Sequence, residues 1–120
     1  MPKEVDAITK LYDFILWMLP KLEKYPRSQK YLLADRIETL MLDILELLIE
    51  AAYSKKKYDA LRSANLKLEK LRYLIRLSKD LQFLNIKSYE YSSRAVNEIG
   101  LSIGGWLKYS KREDIQKPVQ

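Results

Sequence analysis

Residues 55–80, KKKYDALRSANLKLEKLRYLIRLSKD, limit the possible folds more tightly than any other stretch of the chain. At about 100° per residue, Tyr58, Arg62, Asn65, Glu69, Arg72, Arg76 and Lys79 recur by fours and threes along one strip of a helix, and that strip is polar and mostly basic. Leu61, Ala64, Leu68, Leu71 and Ile75 line one flank of it, and Leu66, Tyr73, Leu74, Leu77 and Leu81 the other. A surface helix ordinarily buries a single apolar face. Two apolar flanks predict a helix covered twice, once by its own subunit and once by another copy of the chain, with the basic strip left open to a polyanion.

This stretch also carries the whole net charge. It holds nine of the 22 basic and three of the 16 acidic side chains, which leaves 13 of each elsewhere, so its own +6 equals that of the molecule. A sequence pI near 9.4 favours anionic partners, nucleic acid before acidic lipid or protein. There is no cysteine, whereas small secreted domains tend to use disulfides, so a cytoplasmic location is expected. The start, MPKEVDAITK, lacks the hydrophobic core of a signal peptide. The longest apolar stretch, residues 37–53, is interrupted by Glu38, Asp43, Glu46 and Glu50, so no membrane span or membrane partner is expected.

With 120 residues the chain is long enough for a single domain that buries roughly two-thirds of its unfolded surface. Three glycines and four prolines argue for long helices joined by short turns. The first helix is expected from about Val5 to Leu22, with Asp6 as N-cap and a kink or early end at Pro20. Tyr25-Pro26-Arg27-Ser28 punctuates the chain, and Ser28 is placed to cap a second helix running to about Ser54. That helix is apolar over most of its circumference. Its thin polar strip, Thr39, Asp43, Glu46 and Glu50, is acidic, suited to solvating an edge or pairing with bases of a neighbouring helix. The third helix runs to about Asp80 or Leu84, and Ser88 is the expected cap of the fourth, whose Tyr89, Ser92, Val96, Ile99, Ile103 and Trp106 point one way. Glycine inside a helix costs about 1 kcal/mol relative to alanine, so Gly100, Gly104 and Gly105 need a reason. Either another helix backbone approaches closely, or Gly104 or Gly105 ends the helix and Trp106 folds back. Residues 110–120 are charged and poor in apolar side chains, and are expected to fray. Four such helices predict an all-α, antiparallel up-down-up-down four-helix bundle.

The runs EKYPRSQKYLLADRIETLMLDILELLIEAAYSKKK, LRSANLKLEKLRYLIRLSKDLQFLNIKSYEYSSRAVNEIG and SIGGWLK resemble the Avd family, the accessory variability determinants of diversity-generating retroelements. The same family includes four-helix-bundle proteins encoded by intervening sequences in large-subunit ribosomal RNA genes. The most specific pieces are Tyr25-Pro26-Arg27-Ser28, the run from Leu71 to Leu77, and Glu98-Ile99-Gly100 followed by Gly104-Gly105-Trp106-Leu107-Lys108. The resemblance implies a non-enzymatic homopentamer with a positively charged surface. Its partners would be nucleic acid and a reverse transcriptase, in support of mutagenic complementary-DNA synthesis. Arg62, Arg72, Arg76 and Lys79 match the family's basic helix, and Gly104-Gly105-Trp106 its closing motif. The motifs do not separate a retroelement accessory from an intervening-sequence protein.

The sequence therefore nominates Arg62, Arg72, Arg76 and Lys79, with Lys55, Lys56 and Lys57, for phosphate contact with RNA or DNA. Leu66, Tyr73, Leu77, Gly100, Gly104 and Trp106 are nominated for assembly or helix packing. Tyr58 and Tyr73 suit either base stacking or interfacial packing. A competing reading is a protein-interaction scaffold in which the basic strip meets an acidic surface, such as the strip of Asp43, Glu46 and Glu50 on another subunit. No metal, cofactor or catalytic group is expected, since a di-metal bundle site normally requires Glu-x-x-His on two helices and the chain has no histidine.

Overall fold

The computed structural model describes the backbone of residues 3–116 and the side chains of residues 6–110. Four long helices, α1 (Lys3–Glu23), α3 (Asp35–Tyr53), α4 (Tyr58–Asp80) and α5 (Ile86–Gln116), form a rod of 54 × 24 × 20 Å. A single α-turn, α2 (Arg27–Gln29), and a π-helical turn, Lys30–Ala34, lead into α3. Helix α4 packs between α3 and α5, and α1 closes the ring against the same two neighbours. Four residues separate α3 from α4 and five separate α4 from α5. Such links reach at most about 3.5 Å per residue, far less than the length of a helix, so successive helices run antiparallel as the sequence predicts.

One stripe from each helix fills the axis. Leu11, Met18, Ile37, Met41, Ile44, Leu48, Leu61, Leu68, Leu71, Ile99, Ile103 and Trp106 are all at most 1% exposed. Each fully buried aliphatic side chain stabilises the bundle by about 1.5–3 kcal/mol, and helices of this composition need that contribution because they are marginal alone. On α1 the spacing by threes and fours predicts a stripe of Ile8, Leu11, Tyr12, Ile15, Leu19 and Leu22. The structure buries Ala7, Leu11, Phe14, Ile15, Met18 and Leu22, leaves Ile8 and Leu19 half-buried, and turns Tyr12 out.

Several local expectations give way. Asp6 does not cap α1, which begins at Lys3; the carboxylate bonds Lys10 and Ser102 instead. Pro20 does not end α1, which runs on to Glu23. Both Pro20 and Leu16 are exposed, so the carbonyl deprived of its helical donor lies on the solvent side. Ser28 caps nothing; it sits inside the α2 turn, whose N-cap is Pro26. The cap of α5 is Asn85, whose Oδ1 accepts from the Ser88 N–H at 2.8 Å, while Ser88 is buried. Asparagine three residues ahead of a first-turn N–H is the stronger cap geometry.

Helix α5 does not stop at its glycines. It continues to Gln116, and no glycine has a positive φ, which removes the C-cap reading of Gly104 and Gly105. The helical backbone thus extends through most of the segment expected to fray, and residues 117–120 lie outside the described residues. Gly100 does answer to close approach, from side chains rather than a backbone: a Cβ there would meet Arg72 Nη2 at 2.8 Å and Leu68 Cδ2 at 3.4 Å. A Cβ on Gly104 would meet nothing within 4 Å.

The α4–α5 corner is closed by a left-handed residue, Gln82 (φ 67°), with Phe83 N–H bonded to Ser78 O and Gln82 N–H to Lys79 O. This is the Schellman arrangement, made here without its usual glycine. Phe83 then packs on Tyr25, ring centroids 5.8 Å apart, tying the corner to the end of α1. Burial raises the Tyr25 hydroxyl above its usual pKa, opposed by neighbouring Ser78. The Tyr25 hydroxyl has no hydrogen-bond partner of good geometry, and Ser78 Oγ donates instead to Leu74 O at 2.9 Å.

Candidate nucleic-acid interface

The polar strip of α4 runs along the groove between α4 and α5. A recess of about 320 Å³ lies there, with Arg72, Arg76, Tyr89, Ser93 and Asn97 among its lining. The four cations of the strip are used differently. Arg62 and Arg76 are exposed, and neither makes an ion pair among the described residues. Arg72 is half-buried: its Nε donates to Glu69 Oε1 at 2.9 Å and its Nη1 to Asn97 Oδ1 on α5. Lys79 is engaged too, 3.2 Å from Asp80 Oδ1 and 4.8 Å from the centre of the Tyr89 ring. Arg72 and Lys79 therefore help hold α4 to α5, and Arg62 and Arg76 are the members of the strip with their charge turned to solvent.

The three lysines before α4 divide in the same way. Lys55 and Lys56 are exposed. Lys57 reaches back so that its Nζ donates to Ala51 O at 2.7 Å, satisfying a carbonyl left open at the end of α3. Ser54 makes the turn, its Oγ accepting from the Lys56 N–H at 3.2 Å.

Helix α3 does not lock the basic strip. Asp43 pairs with Lys67 of α4 at 3.7 Å, and Glu46 and Glu50 line a shallow recess beside the same lysine. The expected pairing with a neighbouring helix is present, but through Lys67, which lies a third of a turn or more from Arg62, Arg72 and Arg76 around α4.

Apart from Leu74, which is half-buried against the core, the second apolar flank of α4 is bare in the single chain. Leu66 is 59% exposed, Tyr73 67% and Leu77 44%. Tyr73 also borders a mostly apolar groove of about 640 Å³ between α3 and α4, formed with Leu40 and Leu74 and rimmed by Arg36 and Lys70. Of the other residues nominated for packing, Trp106 is buried, Gly100 lies under Arg72, and Gly104 is exposed. Tyr58 is half-buried at the start of α4.

Sequence reading did not single out a second cluster, on the α1–α5 face. Trp17 and Tyr91 lie with ring centroids 4.4 Å apart, and Lys21 Nζ stands 5.2 Å from the Trp17 ring. The i, i+4 spacing of Trp17 and Lys21 is visible in the chain, but the meeting of residues 17 and 91 requires the packed bundle.

Lower on the same pair of helices, Ser102 Oγ donates to Asp6 Oδ2 at 2.6 Å and accepts from Lys10 Nζ at 3.2 Å. These two hydrogen bonds, Ser102 first and then Lys10, hold the Asp6 carboxyl below its usual pKa. Among the described residues no group of three or more His, Cys, Asp or Glu could hold a metal ion, and no helix is long and apolar enough to cross a membrane.

With this geometry in hand, the sequence matches the bAvd-like family over residues 7–110, nearly the whole chain and all four long helices. The chain belongs to the bAvd-like family. Membership of this non-catalytic accessory family makes the protein a non-enzyme. No curated protein and no solved structure matches it. As a bAvd-like protein it is a small all-α bundle whose outward arginines lie on the side of α4 facing α5, next to a bare apolar ridge.

Proposed function

We propose that this bAvd-like protein is an accessory of the Avd type. It assembles with copies of itself, binds RNA or DNA through its basic surface, and acts with a reverse transcriptase in mutagenic complementary-DNA synthesis. One observation carries the nucleic-acid part: Arg62 and Arg76 stand exposed on a rigid helix without an ion pair among the described residues. Cations held in this way displace counterions from phosphates, and such contacts position a nucleic acid without reading its bases. The bare ridge of Leu66, Tyr73 and Leu77 supports self-assembly, because clustered exposed apolar side chains of this size mark association surfaces. The reverse-transcriptase partner and a pentameric state rest on the resemblance to Avd.

In the scaffold reading the basic strip meets an acidic surface, such as the strip of Asp43, Glu46 and Glu50 on another subunit; within the chain those carboxylates do not take the α4 arginines, and Asp43 takes Lys67. Binding to a fluorescent oligonucleotide, followed by anisotropy between about 50 and 200 mM salt, tests the proposal. Affinity should fall steeply with salt. Arg62→Gln together with Arg76→Gln should flatten the slope of log K against log salt by roughly 1.5. Wild-type protein that binds no oligonucleotide even at low salt removes the nucleic-acid role.

A further inference from the structure

We propose that the groove between α1 and α5 is a stacking platform for single-stranded nucleic acid, with Tyr91 as the outer ring, Trp17 as its support, and Lys21, Lys87 and Arg94 placed for phosphates. The proposal rests on the nucleic-acid reading above but concerns a different face of the molecule.

The aromatic part is built in depth. Phe14, a core residue, lies 6.0 Å from Trp17 with the rings inclined at 24°, and Trp17 lies 4.4 Å from Tyr91 at 34°. Trp17 is half-buried against the core, so it cannot swing away, and Tyr91 remains 44% exposed. A ring fixed on one side and wet on the other offers a flat surface at little entropic cost, which is what an unpaired base needs.

The case for a polyanion lies in where the cations stand around the rings rather than in net charge. Lys21 is already over Trp17. Lys87 and Arg94 stand four residues before and three after Tyr91, which puts them on the same side of α5. Both are exposed, as is Lys24 one turn beyond Lys21, and none of the three makes an ion pair among the described residues. The acidic residues nearby are Glu90, beside Tyr91, with Asp13 one turn and Glu98 two turns toward the other end; Glu23 turns toward α3, where it shares a recess with Lys30. Lysine is depleted from protein–protein interfaces and abundant where phosphates are met, so lysines around an exposed ring suit a nucleic-acid strand better than a second protein.

The test uses the full chain with a single-stranded pyrimidine oligonucleotide and an abasic oligonucleotide of equal length. Trp17 emission should be quenched by the first more than by the second, since Trp106, the other tryptophan, is buried. Tyr91→Leu should weaken binding of the pyrimidine strand roughly tenfold and leave the abasic strand unaffected, and Tyr91→Phe should restore it. Lys87→Gln with Arg94→Gln should flatten the salt slope for both strands. Melting curves of each variant confirm an intact bundle. Equal binding of both strands by wild type and Tyr91→Leu overturns the platform, and if Arg62→Gln/Arg76→Gln still weakens binding, the proposed function survives that failure. A change in sedimentation on Tyr91→Leu with no change in oligonucleotide binding also overturns it, and assigns the face to contact between copies.

Discussion

The two apolar flanks of α4 are made of the same kinds of residue and meet opposite fates. Leu61, Ala64, Leu68, Leu71 and Ile75 are at most 2% exposed, whereas Leu66, Tyr73, Leu77 and Leu81 range from 44% to 67%, and of the outer flank Leu74 is half-buried against the core. Side-chain chemistry does not distinguish them. The difference lies in angle: α3 and α5 flank α4 on the side toward the bundle axis, and a four-helix ring has no fifth helix to cover the rest. A leucine on the inner flank therefore contributes to folding, and one on the outer flank is available for association.

The sharpest way to break this contrast is to truncate one leucine on each flank. Leu68→Ala removes a fully buried side chain that also touches the face of Gly100, and should cost about 3 kcal/mol in denaturant unfolding. Leu66→Ala should change the stability of the single chain by less than about 0.5 kcal/mol. Equal losses at the two positions would mean that the outer flank is also covered. Placing charge on that flank, Leu66→Glu with Leu77→Glu, should shift sedimentation at micromolar concentration toward the single chain and leave the helical circular dichroism unchanged. An unaltered sedimentation profile would detach the ridge from self-assembly.

A smaller effect separates two glycines of α5. Gly104→Ala fills open space and should raise stability by about 1 kcal/mol through helix propensity. Gly100→Ala pushes on Arg72 Nη2 and disturbs its bond to Asn97, so it should gain less or lose. Melting temperatures of the two variants decide this, and identical gains would show that Arg72 moves aside freely. Smallest of all is the Asp6–Ser102 link. Because the folded pKa of Asp6 is lowered, its contribution is present above the ordinary value of 3.8 and is lost as pH falls through the lowered value. Asp6→Asn should flatten that acid-side slope of stability, and a carboxyl titration followed by NMR should place Asp6 below the ordinary value of 3.8.

Much of the fold was legible because long helices with buried stripes write their period directly into the chain. The buried stripe of α5, Ser92, Val96, Ile99, Ile103 and Trp106, falls where its spacing predicts. Helix ends were less legible. Asn85 and Ser88 are both good cap residues three positions apart, and only the backbone shows that Asn85 takes the role. The glycines stay open to two readings for a related reason: a glycine late in a helix looks the same in sequence whether it ends the helix or admits a neighbour's side chain. At the candidate interface, sequence placed the basic strip on one helix but could not say which cations were free. Arg72 and Lys79 lose freedom to Asn97 and Tyr89, and Lys57 to the carbonyl of Ala51, all partners distant in the chain or around a turn.

By itself the sequence determined the number of long helices, the stripe that α5 buries, and the concentration of positive charge between residues 55 and 80. These are properties of spacing along one chain, and a period of 3.6 residues suffices to express them. Tertiary structure decided which of the two apolar flanks of α4 is inside, which arginines remain uncommitted, and that Trp17 meets Tyr91. Each of those depends on which helix lies beside which and at what rotation, a relation set by packing the whole bundle.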